Sequence, residues 1–375
     1  MRFVAKGVMG LVSSLLVGGC CEVGEHLSVF TLGGSGPGWQ CVPGSPTGPG
    51  PGPDVDAGPP LGGFIDIGVL PGDERSGAVR INNRGTVVGF SYSGPTSRAY
   101  RWTRETGMIE LPGFGGEASV RDLNDFDEAV GSAYVPQENV TRAVMWDADG
   151  NVRELGTLEG QRAFSWAIAI NNKGEVLGEV SSSEGGGTFF LWTREEGMRR
   201  LDMGIDRDRI GVHPRDMNDH RVVVGTTYEE GRFSPQRAFE WSPEGGFRYL
   251  APEDGEAVRV NNHGESAGCI YFDPTHVQYQ GVIFGRGIVH AFDGPFFAYP
   301  QSLNDEGVVV GGLPSPETRS PVAARWRSLD RPEPLPLEAE ISHANDINNR
   351  GQIVGSFQQA GAQHRSYVWT PPEGD

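Results

Sequence analysis

From residue 64 onward the chain alternates apolar and polar residues in short stretches, each broken within a few positions by Gly, Asn, Asp or Pro. That period-two pattern, rich in Val, Ile and aromatic residues, predicts strands and excludes an array of helices. The strands come in units. Each unit carries an aliphatic residue, Asn, then Asn or Asp, a short turn, small or aliphatic residues and Gly: INNRGTVVG (81–89), LNDFDEAVG (123–131), INNKGEVLG (170–178), MNDHRVVVG (217–225), VNNHGESAG (260–268), LNDEGVVVG (303–311) and INNRGQIVG (347–355). The first asparagines, Asn82, Asn124, Asn171, Asn218, Asn261, Asn304 and Asn348, recur every 42 to 47 residues, and the closing glycine always follows seven residues later.

A second landmark follows each first one, an aromatic residue at Trp102, Trp146, Trp192, Trp241, Phe284, Trp326 and Trp369, then a Gly or Pro turn and a run ending mostly in Leu. The unit therefore predicts four strands: a runs into the asparagine, b is the run ending at Gly, c carries the Trp, and d ends at the Leu. Asparagine in the a–b turn suits a tight hairpin, because its side chain bonds nearby backbone. Where Asp127 and Arg221 replace the turn glycine, a strained or differently built turn is expected. The Trp is large enough to fill the space between neighbouring sheets. A four-stranded unit of this period predicts an all-β, seven-bladed β-propeller. The seventh unit lacks strand d, while a spare strand, Gly63 to Leu70, precedes the first. Closure is expected: the N-terminal strand completes the last blade and removes both open edges, giving a ring over 63–375.

The segment before the repeats is of another kind. Arg2 and Lys6 precede a mildly apolar stretch too short to span a bilayer. It ends in Val17-Gly18-Gly19-Cys20, which resembles the bacterial lipobox. Residues 1–19 then read as a lipoprotein signal peptide, with Cys20 as the lipidated residue. Residues 20–62 read as a tether, since 19 of the 31 residues from 33 to 63 are Gly or Pro. Cys21 and Cys41 are candidates for a pair in an oxidising envelope, and Cys269, in a predicted strand, reads as a small buried hydrophobe. Cys21 is not aspartate, so the lipobox resemblance implies outer-membrane or surface placement.

Composition sharpens this picture. Of the 56 glycines eleven belong to the tether, seven close strand b of the repeats and others sit in hairpin turns, and the formal charge of −18 argues against a non-specific nucleic-acid binder. A monomer anchored to the membrane through its N-terminal lipid is expected.

The repeat resembles the HAF repeat of bacterial extracellular and surface proteins. The resemblance is carried by Leu155-Gly156-Thr157-Leu158-Glu159-Gly160, by Ala167 to Asn171, and by the aromatic runs ending at Trp192 and Trp241. It covers about 300 residues. Phe284 in place of Trp, and d–a connections without the LGTLGG text, depart from it. It implies a surface repeat protein and carries no catalytic residues.

No catalytic residue, cofactor or metal site is expected. The eight histidines show no ligand spacing. Asp147-Ala-Asp149-Gly150-Asn151 reads as a turn, because a calcium loop would place its glycine two positions later and a Glu at position twelve. The b–c and d–a connections vary in length and share one rim of an up-and-down blade, and variable loops on a rigid ring are where binding concentrates. Tyr134, Arg207, Arg209, His213, Tyr228, Arg232, Tyr271, His276, Tyr279, Phe296, Phe297 and Tyr299 are the candidate binding residues of that rim. The expected function is a non-catalytic envelope scaffold for a protein or glycan. The alternatives are a structural or assembly component, or a glycan-active enzyme with a central-funnel site.

Overall fold

In the computed structural model, the structure describes residues 63–374 apart from 159–162, 183–186, 207–208, 230–235, 273–277, 286, 294–297 and 316. Cys20, the tether with Cys21 and Cys41, and the candidates Arg207, Arg232, His276, Phe296 and Phe297 lie outside the described residues.

The described strands form seven four-stranded antiparallel sheets. The innermost strands a are Arg75–Ile81, Ala118–Leu123, Ala163–Ile170, Ile210–Met217, Gly255–Val260, Tyr299–Leu303 and Ile341–Ile347, in blades 1 to 7. In blade 7 the outer strand is Gly63–Gly68, which pairs antiparallel with Arg365–Thr370, Gly63 opposite Thr370. The fold is thus the expected seven-bladed β-propeller, closed by its N-terminal strand.

The core lies between blades. Trp146 packs with Val88, Phe90, Leu111 and Val120 across blades 1 and 2. Trp326 packs with Ala267, Ile283 and Leu303 across blades 5 and 6. At the closure, Trp102 packs with Ile67, Leu70, Val354 and Val368. Trp192, Phe284 and Trp369 occupy the same position at other interfaces and are buried, whereas Trp241 is only half-buried. Cys269 is fully buried, against Glu256.

The repeated closing glycine has a cause that the repeat alone did not reveal. Every inner strand bulges three residues before its asparagine: the register slips between Ala78 and Arg80, and at the equivalent place in the other six blades. A bulge re-aims the local backbone, and here it presses a strand-a carbonyl onto strand b. A Cβ on Gly89 would lie 2.1 Å from the Gly77 carbonyl oxygen, and one on Gly355 1.8 Å from that of His343. Only glycine fits opposite such a bulge.

The two glycine-free turns keep the common geometry. Asp127 and Arg221 adopt the left-handed conformation with φ of 62° and 57°, and their amides donate to the carbonyls of Asn124 and Asn218 as the turn glycines do elsewhere. Both are tied to the preceding blade. Asp127 accepts a bond from Asn82 and pairs with Arg84, and the Arg221 guanidinium grips Glu175. The strain, of order 1 kcal/mol for a non-glycine residue there, is offset by these contacts. The Asp147 carboxylate accepts from the amides of Asp149 and Asn151, so that segment is a turn built on its own aspartate.

Candidate functional site

The inner strands line the axis, and four layers can be followed by their offset from the repeated asparagine. The asparagines themselves form the first layer. Each side-chain oxygen accepts the amide of the residue four positions on, within its own turn. Each side-chain amide donates to the backbone carbonyl of the next blade's asparagine at 2.8–3.3 Å, from Asn82 to Asn124 and on around until Asn348 returns to Asn82. The next residues make a second closed ring: each backbone amide donates to the side chain of the next blade's counterpart at 2.7–3.1 Å. In that ring Asn83, Asn172, Asn262 and Asn349 alternate with Asp125, Asp219 and Asp305, so amides donate to carboxylates. Seven is odd, and the one unalternated junction, Asn349 to Asn83, is a pair of amides instead of a pair of charges.

Two residues before the asparagine the chemistry turns ionic. This layer holds Arg80, Asp122, Ala169, Asp216, Arg259, Ser302 and Asp346. The buried Arg259 guanidinium lies 3.1 Å from Asp216, 3.1 Å from Asp346 and 3.8 Å from Asp122, and Arg80 reaches Asp122 at 3.0 Å. One side chain of blade 5 therefore meets blades 2, 4 and 7, and blocks the axis. Burial opposes the charge on Arg259, but Asp216, Asp346 and Asp122 outweigh it and hold its pKa above the ordinary value. Burial raises the Asp122 pKa against the pull of Arg80 and Arg259. The second oxygens of Asp122, Asp216 and Asp346 accept the amides of Ile170, Val260 and Ile81 on the next blade. Inner strands are sheet edges with unmet amides, so these carboxylates also cap edges. The two asparagine rings and this ion cluster line an open depression of about 160 Å³ on the turn side.

On the loop side of the plug the repeats diverge. Exposure alternates along the inner strands of blades 3 and 7: Phe164, Trp166 and Ile168 are half-buried between buried Ser165, Ala167 and Ala169, and His343 and Asn345 alternate likewise with Ser342 and Ala344, whereas in blades 5 and 6 Glu256 and Tyr299 are buried. Five residues before the asparagine, the position reads Gly77, Ser119, Trp166, His213, Glu256, Tyr299 and His343. A position that is small in two blades and aromatic or ionisable in five is not demanded by the repeat. His213 is exposed and its ring meets Tyr228 edge-on at 4.8 Å. Glu256 is buried, accepts a hydrogen bond from the Tyr271 hydroxyl and has Arg215 at 3.7 Å. Tyr279 bridges Tyr271 and Tyr299 through edge contacts at 6.5 and 5.7 Å. Burial, then His364, lowers the His343 pKa and so favours the neutral imidazole.

Of the described rim candidates, the structure brings His213 to Tyr228, and Tyr271 to Tyr279 and Tyr299, on this channel wall. Tyr134 stands apart, bonded to Asn139, and Arg209 is an exposed loop residue. The loop-based reading missed Trp166, Glu256, His343, Arg121 and Arg215. The signal was available: aligned on the asparagine, the repeats disagree most at the channel-facing offsets. Among the described residues, no group of three or more His, Cys, Asp or Glu side chains could hold a metal ion.

The architecture defines a β-propeller whose axis is sealed on one side and chemically diverse on the other. No family profile matches the chain, and no curated protein matches it. Solved structures share the fold. Oligogalacturonate lyase from Vibrio parahaemolyticus matches with a TM-score of 0.58 and 12% identity, over 83% of this chain and 94% of that one. A streptogramin B lyase matches at 0.53 and 10%, over 82% and 98%. The β-propeller domain of the trilobed protease from Pyrococcus furiosus matches at 0.52 and 11%, over 81% and 94%. That domain is described as having an open velcro topology, whereas here Gly63–Gly68 closes blade 7. At such identities the likeness concerns the fold alone.

Proposed function

We propose that the protein is a non-catalytic binding propeller of the bacterial envelope that takes a glycan segment on the loop-side wall of its channel. The observation that carries this reading is the divergence five residues before the asparagine, where Trp166, His213, Glu256, Tyr299 and His343 replace a neutral repeat. Aromatic faces beside a few fixed polar groups suit a ligand with both apolar and hydroxylated surfaces. Binding is favoured over hydrolysis because the axial carboxylates are engaged: Asp122, Asp216 and Asp346 by Arg259 and edge amides, Glu256 by Tyr271 and Arg215. Titration with a panel of envelope oligosaccharides, read by calorimetry and Trp fluorescence, tests it. Trp166→Ala is expected to weaken binding about tenfold or more at unchanged melting temperature, on the scale of one lost aromatic contact. Undiminished affinity would remove the site from this wall.

The HAF-like repeat and the lipobox at Cys20 support an anchored surface location. Strand Gly63–Gly68 starts beside Thr370, on the rim where the other blades place their c–d turns. A tether preceding Gly63 would therefore join the ring on its turn side and present the loop side away from the membrane. Cys20→Ala is expected to move the protein from the membrane to the soluble fraction; continued membrane fractionation with acylation would refute the anchor.

A further inference from the structure

Every asparagine of the chain but one engages its side-chain amide nitrogen within the protein. There are fourteen, all among the described residues. Thirteen donate to a protein acceptor: the eleven of the two rings, Asn151 to Asp147, and Asn345 to the Ala78 carbonyl. Asn139 is the exception. It ends the hairpin that joins Val135 to Val140 in blade 2, after Pro136, Gln137 and Glu138, and all four residues are exposed. Its backbone is left-handed, with φ of 54°, a conformation that asparagine tolerates in turns. The Tyr134 hydroxyl donates to its Oδ1 at 2.8 Å. That bond holds the carbonyl end of the amide. The nitrogen end makes no hydrogen bond among the described residues.

The same residue opens the only Asn-x-Thr or Asn-x-Ser sequence in the chain, Asn139-Val140-Thr141. That is the acceptor sequence for N-glycosylation, and it belongs on surface loops of secreted proteins. A left-handed turn accounts for the asparagine; it does not account for the threonine two residues on, which lies half-buried opposite Tyr134. From the free amide nitrogen and its sequence together we infer that Asn139 is a glycosylation site, loaded from an oligosaccharide on a polyprenyl pyrophosphate. Asn139 Nδ2 attacks C1 of the reducing-end sugar. A C1–N bond forms, the C1–O bond to pyrophosphate breaks, the polyprenyl pyrophosphate leaves, and one amide proton passes to a base of the transferase. The Thr141 hydroxyl marks this amide for the transferase. The glycan would stand on the loop-side rim over blade 2, and its attachment is in keeping with the signal-peptide reading of residues 1–19.

Mass spectrometry of the protein purified from its own host tests the site. Trypsin releases residues 122–142 as one peptide. That peptide is expected to carry an added oligosaccharide mass, which fragmentation places on Asn139. Asn139→Gln and Thr141→Ala should each abolish the addition. Thr141→Ser should keep it, because serine retains the hydroxyl. The unaltered protein supplies a reading that does not depend on how any variant folds. A peptide found only unmodified, or an addition that survives Thr141→Ala, would overturn the assignment.

Discussion

Replacing Arg259 by methionine is expected to lower the unfolding free energy by about 3–5 kcal/mol at pH 7, the range for removing one partner from a buried ionic cluster. The side chain it removes is the hub of the axis, within 3.1–3.8 Å of Asp122, Asp216 and Asp346. Methionine fills similar volume, so the loss is electrostatic and not a cavity. The loss should also depend on pH. Burial already raises the Asp122 pKa while Arg80 and Arg259 pull it down; without Arg259 it rises further. A carboxyl whose pKa is higher folded than unfolded takes up a proton on folding. Its contribution is fully present below the unfolded value and drains away as pH rises through the folded one. The variant should therefore recover part of its deficit relative to wild type between pH 7 and pH 5. Urea denaturation of both proteins at the two pH values measures this, and an equal deficit at both would show that the cluster is not what the substitution disturbs.

Removing residues 63–70 is expected to abolish cooperative folding of the ring. Ile67 and Leu70 are buried with Ala78, Val87, Tyr100, Val354 and Val368 between blades 7 and 1. Each such side chain contributes about 1.5–3 kcal/mol by burial. The segment also supplies the pairing to Arg365–Thr370, the bond from the Ser76 hydroxyl to the Gly68 carbonyl at 2.6 Å, and that from the Leu70 amide to the Ser91 hydroxyl at 2.9 Å. Together these exceed about 5 kcal/mol, the lower end of what an ordinary domain holds in total. The bared edge of Arg365–Thr370 would then be free to pair with other chains. A chain beginning at residue 71 should aggregate and show no sharp thermal transition by circular dichroism. A melt matching that of the longer chain would refute closure as the source of stability.

Most of the fold was legible because its determinants are local. The asparagine oxygen bonds amides two and four residues away, and the turn, the strand lengths and the inter-sheet tryptophan all repeat within one unit. The spare strand at Gly63 and the missing strand d after Trp369 were enough to read closure. The bulge was legible only as its trace, the glycine opposite it. The candidate site was read less well. Variable loops drew attention to Tyr134 and Arg209, which stand apart from the channel cluster, while Trp166 and Glu256 sit inside regular strands and carry no loop signal. The strand of Trp166 looks like any other until its alternating exposure is seen, and that of Glu256 until the carboxylate is found against Tyr271 and Arg215.

By itself, the sequence determined the blade: four strands, an asparagine-capped hairpin, an aromatic wedge, seven copies and a strand to close them. Those are short-range matters of turn chemistry and side-chain period. The tertiary structure alone decided what the copies do to one another. The asparagine amides reach carbonyls 42 to 47 residues away and, at the closure, 266 away, while Arg259 reaches Asp346 across 87 residues. Such contacts exist only once the ring has closed around its axis, because no spacing along the chain encodes which charge meets which across the channel. Closure turns seven equivalent offsets into one sealed axis with a single chemically distinct wall.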